Sequence, residues 1–325
     1  MPNYNGVWSL STQFQNAAEW QADNVPPLSG DIALFGGGSS TSNPIDYIQI
    51  TTLGDAADFG DFSVSKTFVA SCSSSTRGVF AGGQQTPRNT MQYVTIVSRG
   101  NTEDFGDLTV GRLTFSGCGS STRGIFGGGE NDFGGTAQNV IDYITIATLG
   151  NASDFGDLTV TRIGPAACSS TTRGVFAGGR NEGSSASYNT IDYVTIASTG
   201  NATDFGDLLS LKFEPAGASS STRGMFAGGF NFSGAAAVNE VDYITIASTG
   251  NASDFGNLSG IRYAMGGTSN SSRAVFGGGT DNVSGQKANI DYFTIASTGN
   301  ASDFGDLTVA RSYPAGCSNA HGGLS

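Results

Sequence analysis

The chain has 325 residues but a single histidine, His321. One histidine leaves no partners for a histidine–nucleophile relay, and none for a histidine-rich copper or zinc centre. Cysteine is nearly as scarce: Cys72, Cys118, Cys168 and Cys317 all occupy one recurring position, where two further copies carry Ala218 and Thr268. That is a slot for a small buried side chain, not a disulfide framework. Cations are few, with 15 Lys and Arg against 27 Asp and Glu and a formal charge of −12. Nucleic acids and anionic membrane surfaces both need clustered cations, so neither is an expected partner. No apolar run is long enough to span a bilayer, so membrane insertion is not expected. The opening Met1-Pro2-Asn3-Tyr4-Asn5 lacks the basic and apolar regions of a signal peptide, which implies synthesis in a cytoplasm without classical secretion.

What the chain has in abundance is glycine, 49 residues of it, and repetition. Ile141-Asp142-Tyr143-Ile144 returns as Ile191-Asp192-Tyr193-Val194, Val241-Asp242-Tyr243-Ile244 and Ile290-Asp291-Tyr292-Phe293, with looser copies at Ile45 to Ile48 and Met91 to Val94. An Asp-Phe-Gly phrase follows each copy, its Phe at 59, 105, 155, 205, 255 and 304. The spacing is therefore 46 to 50 residues. The unit from Arg162 to Leu208 reads as four strands. A small-residue strand ends at Cys168, and Arg173 to Ala177 is stopped by Gly178-Gly179. After a polar loop come Ile191 to Ala197 and then Asp204 to Leu208. Gly200 supplies the positive φ of the hairpin turn between the last two. The third strand is apolar on both sides, so both its faces are covered.

A repeat of this length built from short strands and glycine predicts an all-β fold, a closed ring of small sheets. The phrase Phe35, Phe80, Phe126, Phe176, Phe226 and Phe276 before the glycine pairs counts six blades. The first unit, Asp31 to Gly37, lacks its small-residue strand, and the C-terminal Arg311 to Cys317 is such a strand without a partner. Pairing the two closes the ring and removes exposed edges. The expected organisation is an N-terminal extension over residues 1–30, holding Trp8 and Trp20, and a six-bladed β-propeller over 31–325. The extension is either a tail packed on the first blade or an attachment or homo-oligomerisation segment.

Arg162, Cys168, Val175 to Gly179, Tyr193 and Phe205 together resemble the kelch repeat, with Phe205 where kelch repeats usually carry Trp. That resemblance concerns architecture. Gly6 to Leu10, the Asp242 to Asn251 phrase and the Arg123 to Gly129 phrase resemble repeat proteins of tailed phages, especially those of marine cyanobacteria. This second resemblance implies a virion-associated or tail-fibre-like structural protein, located in the virion and made in the host cytoplasm.

Candidate chemistry is thin. Asp-Phe-Gly looks like a kinase metal-binding triplet, but neither a His-Arg-Asp loop nor a Lys-bearing strand accompanies it, and six copies suit a structural role. The triple glycines lack the following helix that a phosphate cradle needs. Two Asp per repeat are too few oxygens for calcium, so no metal and no cofactor are expected. Arg77, Arg123, Arg173, Arg223 and Arg273 recur once per blade. So do the basic series Lys66, Arg112, Arg162, Lys212, Arg262 and Arg311 and the acidic series Asp61, Asp107, Asp157, Asp207 and Asp306. Such regularity suits hydrogen bonding between blades better than one asymmetric active site.

The loops after Gly-Gly differ between copies, and loops on a rigid scaffold usually carry binding. Asn131, Asp132, Phe133, Asn181, Tyr188, Phe230, Asn231, Phe232, Asp281 and Asn282 are the candidate binding residues, as aromatics beside Asn and Asp suit sugar or protein surfaces. The expectation is a non-enzymatic module that binds a host-surface glycan or a neighbouring virion protein. A glycan-active enzyme on the same scaffold and an intracellular kelch-type interaction scaffold are the alternatives.

Overall fold

A computed structural model describes residues 27–38, 43–182, 186–281 and 283–320. The expected extension, with Trp8 and Trp20, falls largely outside the described residues, as do Asn282 and His321. The described residues contain strands and no helix, and they form six four-stranded antiparallel sheets with one two-stranded ribbon at Phe230–Asn231 and Ala236–Ala237. The sheets are the blades of a six-bladed β-propeller.

Blade four is typical. Its strands, from the axis outward, are Ala166–Ser169, Arg173–Ala177, Thr190–Thr195 and Thr203–Asp207. The six inner strands are Ala70–Ser73, Ser116–Gly119, Ala166–Ser169, Ala216–Ser219, Gly266–Ser269 and Ala315–Ser318. Small side chains are dictated here by crowding. A Cβ added to Gly217 would lie 2.0 Å from the Ala167 carbonyl oxygen, and one added to Gly267 would lie 2.4 Å from that of Gly217. Serines lace this ring together. Ser73 Oγ donates to the Ser318 carbonyl (2.8 Å), Ser318 to Ser269 (2.6 Å), Ser269 to Ser219 (2.6 Å), Ser219 to Ser169 (2.8 Å) and Ser169 to Gly119 (2.7 Å). The cysteines sit buried in the same strands with free thiols, and burial pushes Cys118 and Cys317 up to about 12.

Closure is as expected. Ala315–Ser318 pairs antiparallel with Ile32–Gly36, in register Ala33↔Ser318 and Gly36↔Ala315, so blade one is built from both chain ends.

Neighbouring blades are joined at their outer edges by backbone. Gly200 N donates to Phe155 O (2.7 Å) and Ala202 N to Asp157 O (2.7 Å), so the hairpin turn of blade four binds the outer strand of blade three. The same pair of bonds recurs at Gly54 and Ala56, Gly100 and Thr102, Gly150 and Ala152, Gly250 and Ala252, and Gly299 and Ala301. This approach explains the Asp-Phe-Gly triplet. Phe155 is core, whereas Gly156 has φ +144° and a Cβ there would lie 2.5 Å from the Gly200 carbonyl oxygen. Asn201 Oδ1 completes the joint by accepting from Asp157 N (3.1 Å).

The two cation series do different work. Arg173 stacks on Tyr193 of its own blade, 4.5 Å from the ring centre, and donates to the Ile246 carbonyl of the next blade (2.9 Å). Arg77, Arg123, Arg223 and Arg273 repeat this contact with Ile146, Ile196, Ile295 and Ile50. The other series is buried, and five of its six members form an ion pair within a blade. Arg162 meets Asp192 at 2.6 Å, Arg112 meets Asp142 at 2.6 Å, Lys212 meets Asp242 at 2.9 Å, Arg262 meets Asp291 at 2.7 Å and Arg311 meets Asp46 at 3.1 Å. The acidic partner of a buried cation is therefore the Asp of the Ile-Asp-Tyr phrase. Asp61, Asp107, Asp157, Asp207 and Asp306 instead present backbone N–H to the next blade's turn, and no ion pair joins them to the arginines among the described residues.

Candidate binding face and axial pocket

The two ends of the propeller differ. One end carries the turns within each blade, such as Ser170 to Thr172 and Ser198 to Asn201. The other carries the loops after Gly-Gly and the segments that lead into each inner strand. Bridges hold these last two together: Leu113 pairs with Glu130, Ile163 with Arg180, Phe213 with Phe230 and Tyr263 with Thr280. The varied loops therefore ring the axis at a single end.

At the centre of that end, six equivalent residues lie just ahead of the inner strands. They are Phe68, Thr114, Gly164, Glu214, Ala264 and Tyr313, and all six have left-handed φ between 54° and 65°. Left-handed backbone is rare for residues with a side chain, and rarest for a β-branched one such as Thr114. A chain of backbone hydrogen bonds imposes it. Thr114 N donates to Phe68 O (3.2 Å), Gly164 N to Thr114 O (2.8 Å), Glu214 N to Gly164 O (2.9 Å), Ala264 N to Glu214 O (3.1 Å) and Tyr313 N to Ala264 O (2.7 Å). At the seam between Tyr313 and Phe68 the two rings pack face to tilted face, with centres 4.0 Å apart. Strain held in place by surrounding structure is common at binding sites.

These six residues and the start of the inner strands line a pocket on the axis, with a cavity volume of about 110 Å³. Glu214 is its one carboxylate and is 7% exposed. Burial pushes this carboxyl up to about 8, against the opposing influence of a hydrogen bond from the Tyr313 hydroxyl and the nearby Arg180 charge. Burial and Glu214 together push the Tyr313 hydroxyl well above its usual range. Glu130, on the neighbouring loop, is also raised by burial. Arg180 stacks over Phe213 at 4.9 Å and Phe232 at 5.6 Å, and it forms no ion pair among the described residues.

The structure places the described members of the expected binding set on the loops at this end, in unequal roles. Phe133 is 65% exposed and packs by one edge on Phe68, with centres 5.9 Å apart. Asn131 and Asp132 shape that loop. Asn131 Oδ1 accepts from Thr136 N, and Asp132 Oδ1 accepts from Phe133 N and pairs with Arg88 of the preceding blade at 2.7 Å. Asn181 is exposed, while Tyr188 is half-buried and anchored by its backbone to Gly179.

Phe230 and Phe232 are not the open platforms the sequence suggested. They are half-buried against each other (4.9 Å), and Phe232 meets Phe213 at 5.4 Å while Phe230 meets Tyr263 at 5.4 Å. Greasy neighbours on adjacent loops cover them, because a lone exposed ring gains by packing on another. Asn231 caps its own turn through Gly234 N (3.1 Å). Asp281 is consumed locally by Ser284 and Lys287, and those bonds hold its carboxyl well below the usual range.

Sequence reasoning missed Glu214, Thr114, Tyr313 and Arg180. The signal was present. Two residues after each buried cation lies a column reading Phe, Thr, Gly, Glu, Ala, Tyr, different in all six copies. No group of His, Cys, Asp and Glu able to hold a metal occurs among the described residues.

Fold and site together define a six-bladed β-propeller with one diversified face centred on an axial pocket. Neither protein-family models nor curated protein sequences gave a match to this chain.

Proposed function

We propose that this chain is a non-enzymatic binding module, a structural or tail-fibre-like component of a phage virion that engages a host-surface glycan through the loop-bearing face. The observation that carries the reading is the confinement of variation to one end. The joints between blades repeat almost unchanged, whereas the axial column and the loops around it differ in every copy. Exposed Phe133 stands at the mouth beside Phe68, which packs on Tyr313, and an exposed ring suits the apolar face of a sugar. The kelch-like and phage resemblances of the sequence support the family context and the place in a virion. Hydrolysis of a glycoside uses two carboxylates, and the axial pocket is lined by one, which favours binding over catalysis.

A glycan array probed with the intact chain tests the reading. Binding that falls at least about tenfold in Phe133→Ala, a loss of roughly 1.4 kcal/mol, is expected. A blank array overturns the glycan reading, and capture of another virion protein in its place would assign the face to assembly. Absence of the chain from purified particles by mass spectrometry overturns the virion role.

A further inference from the structure

Two side chains of the axial ring carry buried polar atoms without a hydrogen-bond partner. They are Glu214 Oε2 and Thr114 Oγ1, from residues 7% and 8% exposed, and both residues line the axial pocket. They stand on blades three and five, and both residues line the same pocket. Buried polar atoms are nearly always satisfied, so a pair left over in one cavity points to something the cavity takes up. Part of the wall is apolar, formed by Phe68, Phe115, Ala264 and Met265, and part carries the Ser71 and Ser116 hydroxyls.

Size and charge narrow the ligand. A cavity of about 110 Å³ has room for a group of a few heavy atoms. A cation is disfavoured by Arg180, whose charge acts on Glu214 and is offset by no ion pair among the described residues. An anion is disfavoured by the formal charge of −12. Tyr313, Arg180 and Glu130 are the titratable groups that face Glu214. What remains is an uncharged group with a hydrogen-bond acceptor, a donor and an apolar end.

The geometry points to the axial pocket as a binding site for an uncharged acetamido-type group, with the protonated Glu214 carboxyl donating to its carbonyl oxygen and Thr114 Oγ1 accepting its N–H. The methyl then lies on the apolar wall. Burial keeps the Glu214 proton in place at neutral pH, as its carboxyl loses that proton only near about 8. On a host glycan such a group is the N-acetyl arm of a terminal sugar. The inference rests on the loop-face reading only for that source.

Acetamide and methylammonium, small probes of different charge, separate the possibilities when titrated into the full chain and followed by NMR. Acetamide is expected to bind saturably in the millimolar range at about pH 6 and to weaken about tenfold between about pH 7 and about pH 9, as the carboxyl ionises. Methylammonium is expected not to bind. Glu214→Gln keeps a donor of the same shape, so it retains acetamide binding and loses the pH dependence. Glu214→Leu weakens binding at least about tenfold. No saturable acetamide binding, methylammonium binding that strengthens with pH, or acetamide affinity indifferent to Glu214→Leu would each overturn the assignment. Should the Leu variant not fold, a pH dependence that persists in Glu214→Gln overturns it. A blank glycan array alongside acetamide binding removes the loop-face reading alone; a positive array without acetamide binding removes the pocket alone.

Discussion

Blade two and its five sisters solve one packing problem with different chemistry. In the sisters a buried Arg or Lys meets the Asp of the third strand at 2.6 to 3.1 Å. In blade two that Asp is Gln92 and the cation is Lys66. Lys66 Nζ donates to the carbonyls of Gln85 (3.0 Å) and Pro87 (2.6 Å), while Gln92 accepts from Ser63 Oγ (2.7 Å) and Thr102 Oγ1 (2.5 Å). The blade keeps its shape without the ion pair. Hydrogen bonding therefore sets the geometry at this position, and the counter-charge decides how firmly the cation holds its proton. Burial, with the charge of Arg88, brings Lys66 down to about 8.

Removing one side of the pair separates the two arrangements most sharply. Asp192→Ala strands Arg162 in the interior and is expected to cost about 3–5 kcal/mol in denaturant unfolding. Gln92→Ala removes a neutral acceptor and is expected to cost about 1–2 kcal/mol. Equal losses would mean that the counter-charge contributes nothing.

The joints between blades come next. Gly206→Ala places a Cβ 2.5 Å from the Gly250 carbonyl oxygen at a φ of +145°, and a loss of about 2–3 kcal/mol is expected. At Gly250, where a Cβ would meet nothing within 4 Å, the substitution strains only the backbone, so a smaller loss is expected. The order of the two melting temperatures checks this.

The titrating groups act through pH, with slopes of opposite sign. Folded Glu214 keeps its proton to about 8, whereas the unfolded chain releases it near 4.5. The folded state then binds more protons across that window, so stability falls by at most about 1.4 kcal/mol per pH unit as pH rises from about 4.5 to about 8, and levels off above. Glu214→Gln is expected to remove that fall. Folded Lys66 releases its proton at about 8, but the unfolded chain holds it to 10.5. Its contribution to stability therefore rises with pH between those values. Gln92→Asp turns blade two into a sister blade and is expected to flatten that rise. Denaturant midpoints measured across pH on wild type and variant check both slopes.

Much of this was written in the sequence. The repeat gave the blade count, and the incomplete first unit gave the closure. The recurring arginines fitted contacts between blades because any residue present once per blade meets the same neighbour each time. The ion-pair partners were not legible. Asp192 sits in an apolar strand, and only the path of the chain ahead of the inner strand brings Arg162 to it. Glu214 was hidden for a related reason. Its neighbourhood is assembled from six segments spaced by the full repeat, so only alignment of all six copies brings out the varied column that holds it. Phe230 and Phe232 read as exposed because a polar loop surrounds them, but Phe213 of the same blade and Tyr263 of the next supply rings that cover them.

Hydrogen exchange on the intact chain, with and without the best-binding glycan from an array, tests most directly whether recognition is confined to one end. The expected result is protection over residues 130–138, 186–188 and 230–237 and at Glu214, with the turns at Gly150, Gly200 and Gly250 unchanged. Protection at those turns, with the loops unchanged, would contradict the account.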